Sequence, residues 1–196
     1  MLPIRSFRCL VLAFFLLTFP AAAMADAPTD SLKASIDEVL TLLKDPAYQD
    51  PSKKAALREK LIGAIKSVFN AEELSRRALG QNWKNFTPEQ QKRFTEAFTT
   101  LLQNTYLDKI ESYTDEAVNY LGEQPIGEGK VEVKTTIVHQ GKDIPLTYRM
   151  IDKGSWKVYD VVIEGVSMVQ NYRQQFADVL MRESPDALID KILKKS

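Results

Sequence analysis

His139 is the only imidazole and Cys9 the only thiol in a chain of 196 residues. Catalysis through a histidine needs that base held by a third group in a pocket. His139 instead sits beside the Gln140-Gly141 turn, where a polar residue is ordinary. The two counts remove a structural zinc centre and a disulfide framework, so neither a metal nor a cofactor is expected. No G-x-S-x-G surrounds any serine, and Gly154-Ser155-Trp156 reads as a hairpin turn rather than a nucleophile elbow. Neither G-x-G-x-x-G nor G-K-[ST] occurs, so no loop is built to cradle a nucleotide phosphate. Gly127-Glu128-Gly129 reads as a loop. The acidic pairs Asp37-Glu38, Glu72-Glu73 and Asp115-Glu116 read as helix starts or solvated faces, with a two-carboxylate hydrolase left open. Lys plus Arg is 26 and Asp plus Glu is 26. A nucleic-acid binder carries a basic surplus to neutralise phosphates, so no nucleic-acid partner is expected.

The elements around these residues follow from hydrophobic period. Arg5 and Arg8, the apolar run Leu10 to Phe19, and Ala23-Met24-Ala25 form the three regions of a secretory signal peptide over residues 1–25. Its removal takes the only Cys and leaves residues 26–196 as one expected domain. From Asp30 to Tyr113 apolar residues recur at helical spacing. Breaks at Asp45-Pro46 and Gly80, and starts at Asp50-Pro51, Asn70 and Thr87-Pro88-Glu89-Gln90, divide this stretch into several helices. From Glu116 to Ile163 the period is two. Ala117 to Leu121 is a short strand. Val131, Val133, Thr135 and Ile137 alternate with polar residues, and so do Ile144, Leu146, Tyr148 and Met150. The strand ending at Ile163 is apolar on both sides, with Trp156, Val158 and Val162 on one and Tyr159, Val161 and Ile163 on the other. Helices over Val166 to Glu183 and after Ser184-Pro185 close the chain. The expected class is α+β, with helices cupping one face of a four-stranded antiparallel sheet.

Apolar surplus, rather than convergent polar chemistry, marks this chain. Seven Tyr, two Trp and five Phe lie beyond residue 25, and Met150 and Met168 flank the last strand. Two readings stand side by side. One is a filled core with both sheet faces covered; the other is a cavity between sheet and helices for an apolar ligand.

Three segments carry a resemblance. They are Phe69-Asn70-Ala71-Glu72-Glu73-Leu74 with Ala78-Leu79-Gly80 and Trp83, then Thr87-Pro88-Glu89-Gln90 through Phe94, Phe98, Leu101-Leu102 and Thr105-Tyr106. The third is Trp156-Lys157-Val158-Tyr159-Asp160-Val161 with Glu164-Gly165-Val166-Ser167 and Asn171 to Phe176. With the signal peptide, these resemble the MlaC-type family, also called toluene-tolerance or phospholipid-binding proteins. The resemblance implies a twisted antiparallel sheet and helices around a deep apolar lipid pocket. It implies a soluble periplasmic carrier of glycerophospholipids. The implied partners are an outer-membrane lipoprotein–porin complex and an inner-membrane ABC transporter with an MCE-domain subunit. A chaperone-like adaptor would instead expose an apolar patch, and an enzyme would need polar groups converging in the cavity.

On that reading the expected pocket lining includes Phe98, Leu101, Tyr106, Tyr148, Met150, Tyr159, Val161, Ile163, Met168, Tyr172 and Phe176. Asp160 interrupts the apolar strand, and a carboxylate on a covered face is costly unless it is satisfied. It is expected to be buried and held by Arg173 or by backbone N–H groups near Glu164 to Ser167. Asp160 and Arg173 thus form an expected structural pair fixing the strand to the following helix.

Overall fold

A computed structural model describes residues 27–112, 117–139 and 141–195. The expected leader at residues 1–25 and the acidic pair Asp115-Glu116 lie outside them. The helices start where local chemistry tells them to. Helix α1 (Pro28–Lys44) and α2 (Pro51–Val68) each open on a proline, whose missing N–H costs nothing at a helix start. Asp50 accepts the Ser52 N–H ahead of α2. Asn70 accepts the Glu73 N–H ahead of α3 (Ala71–Leu79), which stops at Gly80, φ 57°. Thr87 and Gln90 form a reciprocal capping box at α4 (Pro88–Glu111). Ser167 and Ser184 cap α5 (Met168–Leu180) and α6 (Pro185–Leu193).

The sheet is an antiparallel meander in the order β1 (Ala117–Gly127), β2 (Lys130–His139), β3 (Lys142–Asp152), β4 (Trp156–Ile163) and β5 (Val166–Ser167). The class is α+β, with five strands where four were expected. The fifth arises because Glu164 (φ 49°) and Gly165 (φ 85°) form a two-residue left-handed turn. Val166 and Ser167 therefore fold back on Ile163 and Val162 before α5 begins. Strand β1 also runs past Leu121, the expected end. The register shifts between Tyr120 and Gly122, and this bulge breaks the alternation on which the shorter reading rested.

A second bulge decides which residues face the helices. Met150 pairs with Val158, but Arg149 pairs with Asp160, so Tyr159 is the extra residue of β4. Val158 thereby joins Val161 and Ile163 on the inner face. That face continues through Met150, Tyr148 and Leu146 of β3, then Val131, Val133 and Thr135 of β2, to Tyr120 of β1. The outer face carries Glu132, Lys134, Thr136, Thr147 and Arg149, all exposed or half-buried.

The helices bury the inner face in one large cluster joining Leu32 of α1, Leu74 and Ala78 of α3, Phe94 and Phe98 of α4, Phe176 of α5 and Ile189 of α6 to Val133, Met150 and Val158. A smaller cluster sits between α1, α2 and the end of α4, around Leu43, Tyr48, Leu61 and Leu107. Among the described residues no helix is long and apolar enough to cross a membrane.

Candidate functional site on the inner face of the sheet

The long helix α4 packs chiefly along α3 and α6. Its aromatic side chains reach α5. Phe98 meets the Tyr172 ring edge-on at 5.0 Å and Phe176 at 5.2 Å, and Phe94 stacks on Phe98 at 5.6 Å. Such geometry matches the quadrupoles of the rings and adds to their area burial. Phe98, Leu101, Met150, Val161, Met168 and Phe176 are buried in the main cluster. Tyr106, Tyr148, Ile163 and Tyr172 are half-buried and pack against it. Burial pushes the Tyr106 phenol above its ordinary value, with Tyr172 close enough to add to the effect.

Tyr159 is the expected lining residue that stands apart. It is buried outside either cluster. The Arg77 guanidinium lies 3.9 Å from its ring centroid, and Arg77 also pairs with Glu73 at 2.7 Å. Counting by twos places Tyr159 beside Val161 and Ile163; the bulge removes it from that row. Burial raises the Tyr159 phenol, against the pull of Arg77 and Arg149. Burial also works against the Glu73 carboxylate, but Arg76 and Arg77 outweigh it and hold the group below the usual carboxylate value.

Asp160 is buried, at 3% exposure. Its Oδ1 accepts the Val169 N–H at 3.0 Å, and its Oδ2 accepts the Ser167 hydroxyl at 2.6 Å and Arg149 Nη1 at 3.1 Å. Arg149 Nε donates to Glu132 at 2.9 Å, and the three residues stand directly opposite one another on β2, β3 and β4. The expected pairing with Arg173 is therefore corrected. Arg173 is exposed and donates from Nε to the Arg77 carbonyl at 2.7 Å, so its cation sits at the negative end of α3. The reason is the bulge again. Without it Asp160 would face Tyr148; with it Asp160 turns outward to Arg149. Sequence reasoning missed Arg149 because strand register is a non-local property.

Among the described residues, two surface hollows lie away from this layer. One, of about 560 Å³, is polar and sits between α3 and the turns after β1 and β3, reached by Arg77, Lys130 and Lys153. The other, of about 280 Å³, lies between α4 and α6 at Ala97 and Ile189. No expected lining residue borders either one. Among the described residues no cluster of His, Cys, Asp and Glu could hold a metal.

Residues 33–194 match the family described as "MlaC protein". The chain belongs to the MlaC family. It is 26% identical over 191 residues to the intermembrane phospholipid transport system binding protein MlaC of Haemophilus influenzae, spanning 93% of this chain and 87% of that protein. It is 28% identical over 194 residues to the toluene tolerance protein ttg2D of Pseudomonas putida, spanning 96% of this chain and 86% of the other. Its fold matches a phospholipid-binding protein from Ralstonia solanacearum, solved in complex with a phospholipid. The TM-score is 0.75 at 26% identity, over 85% of this chain and 94% of that one. Family membership thus rests on nearly the whole described fold, helices and sheet together.

Proposed function

We propose that this MlaC-family chain is a periplasmic phospholipid carrier and not an enzyme. The leader over residues 1–25 exports it, and residues 26–196 act as one lipid-binding domain. The likeness of its fold to the phospholipid-bound Ralstonia protein carries this reading. The inner face of the sheet agrees with it in chemistry. Phe98, Leu101, Tyr106, Tyr148, Met150, Val161, Ile163, Met168, Tyr172 and Phe176 line the acyl-chain site, and Tyr159 does not. Acyl chains enter this layer by rotamer changes of its aromatic, Leu and Met side chains. Met adapts readily to such repacking. Each buried methylene gains ~0.8 kcal/mol, so two long chains supply roughly 20 kcal/mol gross.

The head group stays near the mouth. The carrier moves glycerophospholipids between an outer-membrane lipoprotein–porin complex and an inner-membrane ABC transporter with an MCE-domain subunit. With no nucleotide-binding motif of its own, it takes any energy for transfer from that partner. Purification from periplasm, organic extraction and mass spectrometry test the reading. The expected result is glycerophospholipid in near-stoichiometric amount on a chain whose intact mass begins at Asp26. Lipid no higher than on an unrelated periplasmic protein purified alongside would sink it. Transfer of labelled lipid to vesicles carrying the transporter, and not to bare vesicles, checks the partner.

A further inference from the structure

Two buried side-chain oxygens lack a hydrogen-bond partner among the described residues: Ser75 Oγ and the Tyr120 hydroxyl. The serine sits within α3, where rotation about χ1 offers it a carbonyl of its own helix. A tyrosine has no such recourse, because its hydroxyl is carried far from its own backbone. A buried donor left unmade loses its hydration without return, so a fold that keeps one raises the question of what completes it.

Tyr120 stands on β1 opposite Thr135, on the inner face, and its ring packs against the main buried cluster. Thr135 does not answer it: its hydroxyl donates to the Leu146 carbonyl at 3.3 Å. On the other side lies α1. The Lys33 ammonium is 5.7 Å from the Tyr120 ring centroid and pairs with Asp37 at 2.8 Å. Both of these side chains are more than half exposed. Tyr120 therefore stands where the apolar layer meets the charged surface of α1, beside the Lys33–Asp37 ion pair. Burial, with Asp37 adding to it, pushes the phenol up to about 12, so it stays a donor at any physiological pH.

We propose that the Tyr120 hydroxyl is the polar anchor for bound lipid, donating to an acceptor oxygen of the lipid's glycerol-phosphate region while the tails occupy the apolar layer. This rests on the carrier reading and deepens it. The ligand class has acceptor oxygens at one end of an apolar body, and that polar end lies toward α1. An ester carbonyl and a phosphate oxygen share the required chemistry.

The test uses stripped protein, residues 26–196, as wild type and Tyr120→Phe. Each is titrated with a diacyl phospholipid, its dialkyl-ether counterpart, a diacylglycerol and a pyrene-labelled alkane. The expected result is about ten-fold weaker diacyl phospholipid binding by Tyr120→Phe, with equal alkane binding by both proteins. If the partner is an ester carbonyl, the ether lipid binds both proteins alike. If it is a phosphate oxygen, diacylglycerol does. Stripped Tyr120→Phe should be at least as stable as wild type, since it loses an unpartnered hydroxyl; lower stability would show a protein partner and overturn the proposal. Unchanged phospholipid affinity, or equal loss for every probe, overturns it as well. Wild type that binds no phospholipid overturns the carrier reading first, and this proposal with it.

Discussion

Asp160 turns a strand, a bulge and a helix start into one unit. It accepts from a backbone N–H, a hydroxyl and a guanidinium, so its buried charge is satisfied from β3, β5 and α5 together. Removing it leaves the Ser167 hydroxyl and the Val169 N–H in a buried site. Arg149 keeps Glu132 and is partly open to water, which softens its loss. Asp160→Ala should therefore destabilise by about 3 kcal/mol, the low end for breaking a buried pair. Arg149→Ala should cost about 1–2 kcal/mol, since Asp160 keeps two donors. In urea unfolding the Asp160→Ala/Arg149→Ala double variant should lose less than the sum of the single variants, whereas Asp160→Ala and Arg173→Ala should add. The opposite pattern would restore Arg173 as the partner.

Helix α1 shows how an element can depend on another for its start. Ala27, at its N-cap, offers no side-chain acceptor. Glu123 of β1 supplies one, accepting the Thr29 N–H at 3.1 Å and the Thr29 hydroxyl at 2.6 Å. A carboxylate there satisfies an orphan donor and faces the positive end of the helix dipole. The contact spans 94 residues, so it also ties α1 to the edge strand of the sheet. Glu123→Ala should cost about 1 kcal/mol, with faster amide exchange confined to the first turn of α1. Glu123→Gln should cost less, because it keeps the acceptor and loses only the charge. Uniform exchange throughout the chain would show that Glu123 is not acting as a cap.

At the scale of the whole molecule, α4 is shared by both clusters. Phe94, Phe98 and Leu101 belong to the large one, and Leu107 and Ile110 to the small one. The small cluster is locked by polar bonds. Tyr48 donates to Glu111 at 2.9 Å, and Arg58 pairs with the same carboxylate at 2.6 Å. One end of α4 is thus pinned to α2, while the other borders the proposed acyl-chain layer. On that proposal bound lipid fills the large cluster and adds stability by mass action, about 4 kcal/mol at a thousand-fold excess over Kd. For a domain of this size that is roughly 10 °C in Tm. Calorimetry of lipid-bound and stripped protein should show that drop and its recovery on adding lipid back. Identical melting would mean that the layer takes no lipid.

Local chemistry was legible in the sequence wherever a few neighbouring residues sufficed. Thr87 with Gln90 made a capping box, Asn70 capped α3, Gly80 ended it, and Ser184-Pro185 opened α6. The change of period from helical to two placed the first helices before the sheet, and the alternation of Val131 and Val133 marked the inner face of β2. The tertiary structure alone decided which side chains share a face beyond a bulge. One extra residue at Tyr159 sent that ring to Arg77, turned Asp160 to Arg149 and brought Val158 inward. Likewise, the left-handed Glu164-Gly165 turn added a strand where helical spacing had begun at Val166. Helix caps are settled within four residues, so sequence encodes them directly. Register is settled by hydrogen bonds between strands, and a single inserted residue reverses every facing after it.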